Sequence, residues 1–136
     1  MRVYGLPKIL ILESQMIVAA DVAIQLHKFG FELIGINQRM SDAILSIELH
    51  RPDIIVMNLA PGSSTGGIYT AKMLSEKFRI PLVFISAQTD RSFLQQLIPL
   101  NPYALITKPF SSADLHRGLQ TTLHRMIAEG LWPKSA

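Results

Sequence analysis

Five short, nearly unbroken apolar runs restrict the fold of this chain more than any other feature. Lys8–Leu12, Phe31–Ile36, Asp53–Met57, Pro81–Ile85 and Tyr103–Ile106 each have the length of a strand. A strand with one wet face alternates apolar and polar residues, whereas a strand covered on both faces of a parallel sheet does not. Between these runs, Gln15–Phe29, Met40–His50, Gly66–Phe78 and Asp90–Ile98 carry helical spacing, and a last helix runs from Ser111 or Ser112 to about Met126. Strand and helix thus alternate five times through short connectors. The economical topology is a doubly wound (βα)5 three-layer α/β sandwich around a five-stranded parallel sheet.

Local signals sharpen the element ends. In the first helix Ile17, Ala20, Ile24 and Phe29 can share a buried stripe, leaving Gln25, His27 and Lys28 solvated. Gly30 follows as the glycine expected just past a helix end. Ser41 is a candidate cap for the second helix, which Pro52 ends, and Ser111 or Ser112 with Asp114 caps the last.

Composition excludes several kinds of chemistry. Without cysteine there are no disulfides, thiolate nucleophiles or cysteine-bound metals. Thirteen basic against ten acidic residues give a net charge of +3, but the basic residues are scattered, so nucleic-acid binding is not expected. No apolar run approaches the roughly 20 residues of a membrane helix, and Met1 to Gly5 does not open a cleavable apolar leader. A cytoplasmic domain is expected. Gly62 to Gly67 has the outer glycines of a phosphate-binding loop, yet Ile68 and Tyr69 stand where its lysine and hydroxyl belong, so it reads as a plain strand-to-helix loop. His27, His50, His116 and His124 have no metal-ligand spacing, and His116 and His124 read as surface or rim residues.

In a parallel α/β sheet, chemistry gathers at the carboxyl ends of the strands. Glu13 and Ser14 follow the first strand, Asn58 ends the third, Ser86 and Ala87 follow the fourth, and Lys108 and Pro109 the fifth. Taken in order, Lys8 to Glu13, Arg51 to Met57, Ile80 to Ala87 and Thr107 to Phe110 resemble the receiver domain of two-component response regulators, the CheY-like family. The resemblance covers roughly Lys8 to Ile127. It divides the chain into an N-terminal extension (1–7), a receiver domain of flavodoxin/CheY-like fold (8–127) and a C-terminal tail or linker (128–136).

The resemblance implies a mechanism. An aspartate ending the third strand takes a phosphoryl group, two acidic residues after the first strand hold Mg²⁺, and a hydroxyl and a lysine after the fourth and fifth strands bind the phosphoryl oxygens. It also implies a cis bond before Pro109. Ser86 and Lys108 match the phosphate-binding positions and Glu13 keeps one acidic position. Ser14 replaces the second acid, Asn58 the phosphoacceptor, and Leu105 the switch aromatic three residues before the lysine. Three carboxylates and a lysine would carry a formal charge of −2, whereas Glu13 and Lys108 sum to zero. Mg²⁺ favours carboxylates in near-octahedral array, so weak or absent Mg²⁺ binding and no other cofactor are expected. Glu13 and Lys108 are expected to interact instead, directly or through water, with Asn58 hydrogen-bonding between them.

The function so implied is not enzymatic. It is a signal-transduction receiver, independent of phosphorylation, acting as a protein-interaction module. Its partners would be a sensor kinase or an output domain, met through residues 91–98, 103–106 and 113–123. Two alternatives stand beside it: a receiver phosphorylated on a non-standard acceptor such as Ser14 or Ser86, and a dimerisation domain of a larger sensor or output protein.

Overall fold

The computed structural model of the protein describes residues 5–60 and 67–134. Strands β1 (Lys8–Leu12), β2 (Glu32–Asn37), β3 (Ile54–Leu59), β4 (Leu82–Ser86) and β5 (Ala104–Thr107) alternate with helices α1 (Met16–Lys28), α2 (Met40–His50), α3 (Ile68–Lys77), α4 (Arg91–Leu97) and α5 (Ser112–Ala128). One turn of 3₁₀ helix, Ile98–Leu100, extends α4. All strand pairs are parallel, in the order β2-β1-β3-β4-β5. The loop residues 62–66, read above as a strand-to-helix connection, lie outside the described residues, as do 1–4 of the N-terminal extension.

The apolar runs are continuous because β1, β3 and β4 are covered on both faces. Side chains alternate across a strand, so Ile9, Ile11, Ile54, Val56, Val83 and Ile85 meet α1 and α5, where Ala19, Val22, Leu26, Leu115, Leu119 and Met126 are buried. Leu10, Leu12, Ile55, Met57, Leu82 and Phe84 face α2, α3 and α4. The edge strands β2 and β5 are only half-buried.

Helix α1 is rotated from its expected setting. Ala19, Val22 and Leu26 are buried, Ile17 and Ile24 are 88% and 57% exposed, and Ala20 is exposed; Phe29 packs on the core as expected. The reason lies in the neighbours of the two isoleucines. Ile17, Asp21, Ile24 and Lys28 recur at helical spacing of four, three and four residues, so burying the isoleucines would also bury two charges.

Caps follow backbone geometry. Gly30, at φ +89°, donates its N–H to His27 O at 3.0 Å and closes the turn after α1. Ser41 does not cap α2: it lies inside the first turn, and the N-cap is Arg39, with no side-chain hydrogen bond. Arg51 takes the left-handed conformation (φ 47°) before Pro52, which disfavours the helical region in its predecessor. At α5 the expected cap is complete. Ser111 Oγ accepts the Asp114 N–H at 3.1 Å, and the Asp114 carboxylate accepts the Ser111 N–H at 2.9 Å. Gly118 lets α5 lie close on β5, since a Cβ there would stand 2.9 Å from Ile106 Cγ1 and Cδ1.

Candidate functional site

The strand order places a topological switch between β1 and β3, where open α/β sheets leave a crevice at their carboxyl edge. Glu13 and Asn58 flank it. Leu12 pairs with Met57, so these are the next residues on two adjacent strands, and alternation turns both toward α1. Glu13 is buried at 5% exposure. Its N–H donates to Asn37 O at 2.9 Å and its Oε1 accepts the Gln15 N–H at 3.2 Å. Glu13 Oε2 and Asn58 Oδ1 are buried without a hydrogen-bond donor. Both residues border one cavity of about 10 Å³, whose other walls include Ile11, Val18, Ala19, Val22 and Val56.

The remaining predicted residues occupy the same edge in different environments. Ser14 is exposed, and its carbonyl accepts from Gln38 Nε2 at 3.1 Å. Ser86 is fully buried and its hydroxyl is committed to the adjacent turn: Oγ accepts the Gln88 N–H at 3.0 Å and donates to Gln88 O at 3.3 Å. Lys108 is half-buried, its N–H donates to Ser86 O at 2.8 Å, and its bond to Pro109 is cis. Leu105 is half-buried on β5, opposite Phe84, and packs on the α2–α4 face.

The expected direct contact between Glu13 and Lys108 is not formed: among the described residues, the Lys108 ammonium has neither an ion pair nor a hydrogen bond to Glu13 or Asn58. Strands β3 and β4 stand between β1 and β5, which at the usual strand spacing sets the two edges of the site roughly 14 Å apart.

On the face expected to meet partners, Tyr103 anchors a compact polar cluster. Its hydroxyl donates to Glu129 Oε1, and the Arg125 guanidinium lies 3.9 Å from the Tyr103 ring centre. Arg125 Nε also pairs with Glu129 Oε2 at 3.1 Å, and its Nη1 donates to Pro102 O at 3.2 Å. Burial, then donation to Glu129 and the nearby carboxylate charge, push the Tyr103 phenol up to about 12, against the opposing charge of Arg125. The Tyr103 hydrogen bond, followed by that from Arg125, holds Glu129 below the usual carboxylate range.

The folded protein therefore favours the neutral phenol. The stability this contributes is whole below about pH 10, where an unfolded tyrosine titrates, and is lost as pH rises toward about 12. Urea denaturation across that window should show a fall that Tyr103→Phe removes. Of the three tyrosines, one should ionise late by ultraviolet absorbance, and superimposable titrations of the Phe variant and the parent, after scaling for tyrosine number, would refute this.

Sequence reasoning missed one buried charge, Asp53, at 6% exposure just before β3. Its Oδ2 accepts the Lys8 N–H at 2.8 Å and its Oδ1 pairs with Lys134 Nζ. A carboxylate opening an otherwise apolar run, directly after Pro52, was the available signal.

The family model for the response regulator receiver domain matches residues 9–120. Over 118 residues the chain is 27% identical to the transcriptional regulatory protein PdtaR of Mycobacterium tuberculosis, covering 87% of this chain and 57% of that protein. Over 109 residues it is 29% identical to the phyllosphere-induced regulator PhyR of Methylorubrum extorquens, covering 79% of this chain and 40% of that protein. The chain thus spans about half the length of these curated relatives. The signal receiver domain of a modulated diguanylate cyclase from Desulfovibrio desulfuricans G20 superposes with a TM-score of 0.79 at 28% identity, covering 91% of this chain and 98% of that one.

Proposed function

Because the chain belongs to the response regulator receiver family, whose domains are regulatory modules and not enzymes, we propose that it signals by protein contact without aspartyl phosphorylation. The observation that carries this reading is the placement of Asn58 on the same cavity wall as Glu13. An amide oxygen is a poor nucleophile beside a carboxylate. With Asn58 an amide and Ser14 a hydroxyl, Glu13 is left as one carboxylate where the family's metal site has three.

The neighbouring groups support the same reading. Ser14 offers no carboxylate to a metal, and the Ser86 hydroxyl has both its donor and an acceptor site engaged by Gln88. Asn58 carries an amide N–H donor, and Glu13 Oε2 at the same cavity is without one. On this reading an amide N–H stands in for the metal as the neutral partner of the one remaining carboxylate.

Partner binding would then rest on surface already present. Met16, Ile17 and Ile24 expose apolar area on α1, and a groove of about 380 Å³ runs along β5 and α5 beside Thr107, Asp114 and Gly118. The partners of this reading are a sensor kinase or an output domain, or a second copy of the chain. No helix among the described residues is long and apolar enough to cross a membrane.

Incubation with a small-molecule phosphodonor and Mg²⁺, followed by intact-mass measurement, tests the reading. The expected mass is unchanged. A stable gain of one phosphoryl group would refute it, and peptide mapping would then locate the acceptor.

A further inference from the structure

The opposite edge of the sheet holds a feature that the receiver chemistry does not use. Where β1 and β3 begin, a cavity of about 530 Å³ opens between the α2–β3 turn and the end of α5, bordered by Ile47, Pro52, Asp53, Met126, Leu131 and Lys134. The chain reaches its rim by reversing after α5. Gly130, at φ +77°, donates its N–H to Ile127 O at 3.1 Å, and Leu131 donates to Met126 O at 2.8 Å. Beyond that reversal Trp132 packs on the core beneath α1 and α5, and the Lys134 ammonium reaches the Asp53 carboxylate.

Charge and burial show what holds this arrangement. The Asp53 side chain is 3% exposed, and its second oxygen is held by the Lys8 N–H. A carboxylate so withdrawn from water is costly unless it is paired. Lys134 supplies that pair from a side chain that is itself 59% exposed, so the contact combines a strong structural demand for a cation with easy access by solvent.

We propose that residues 130–134 form an intramolecular strap, lying along one wall of this cavity with Trp132 seated on the core, and latched reversibly by Lys134 on Asp53. Asp53 immediately precedes β3 and holds the Lys8 N–H at the start of β1, the two strands that lead to Asn58 and Glu13 at their other ends. The strap therefore ties the segment leaving α5 to the central strands, at the edge remote from the crevice. What the buried carboxylate demands is a cation, and the chain supplies its own from Lys134.

Hydrogen exchange of the intact chain tests the latch, with Trp132, the single tryptophan, as a second reporter. An ion pair with one exposed partner shifts an opening equilibrium by about two- to fivefold. Lys134→Ala should lower the protection of the Gly130 and Leu131 amides by that factor and red-shift the Trp132 emission, while amides in β1 and β3 keep their protection. Lys134→Arg, which preserves the charge, should restore both signals. Raising salt should loosen the strap in the parent and leave Lys134→Ala unaffected. Unchanged amide protection and emission in Lys134→Ala would overturn the proposal, as would an Arg variant that behaves like Ala.

Discussion

The chain carrying both Asn58→Asp and Ser14→Asp is expected to gain one phosphoryl group from a small phosphodonor in the presence of Mg²⁺, where the parent gains none. The first substitution supplies a carboxylate nucleophile beside Glu13, and the second a metal ligand on the exposed side of the crevice. Stability should move in the opposite sense before metal is added. Placing a second carboxylate against the donor-free Glu13 Oε2 sets like charges in a poorly solvated site, at a cost of about 1–3 kcal/mol. Mg²⁺ should then raise the thermal midpoint of the variant, since saturation at a hundred times its dissociation constant contributes about 2.7 kcal/mol. The parent midpoint should not respond to Mg²⁺. A double variant that stays unmodified and blind to Mg²⁺ would show that the loss extends past these two side chains, with the turn-bound Ser86 hydroxyl as the next suspect.

Phe84→Ala should be among the most destabilising single changes in the domain. Phe84 has no exposed surface, sits on a strand buried along its whole length, and lies in register between Met57 and Leu105. Its ring fills the layer between the sheet and α2–α4, alongside Phe93 and Leu97. Removing such a ring costs about 3–5 kcal/mol. A domain of this kind has a total stability of about 5–15 kcal/mol, so about a fifth of it or more should go. Urea denaturation would read this as a lower midpoint at unchanged slope. A loss below about 1 kcal/mol would contradict the packing described for this face.

Much of the fold was legible because burial on both faces leaves a plain mark in sequence. The runs around Ile9, Ile54 and Val83 could belong only to central strands, and their spacing required a helix between each pair. The edge of the sheet where Glu13, Asn58, Ser86 and Lys108 gather followed from the same alternation. The setting of α1 was legible in principle, since Asp21 and Lys28 share a stripe with Ile17 and Ile24, and counting apolar residues alone chose the wrong face. Ser41 had the chemistry of a cap but not its backbone position, which depends on where α2 leaves β2.

Contacts between distant segments obeyed no local rule. A sequence places Glu13 and Lys108 in one family of site residues but does not fix whether their side chains meet, and in the fold the two form no direct contact. It places Asp53 and Lys134 nowhere near each other, yet α5 runs back across the sheet and delivers the ammonium to the carboxylate.

The sequence by itself determined the layer architecture, the identity of the residues at the carboxyl edge, and the absence of a carboxylate at Asn58, because these depend on side-chain chemistry and on periods of two and 3.6 residues. Only the tertiary structure decided that Glu13 and Asn58 border one small, mostly apolar-walled cavity, that the Ser86 hydroxyl is spent on its own turn, and that the Lys134 ammonium after α5 reaches Asp53. Those outcomes depend on distances across the sheet and on which polar atoms are left without water, quantities that exist only once the layers have packed.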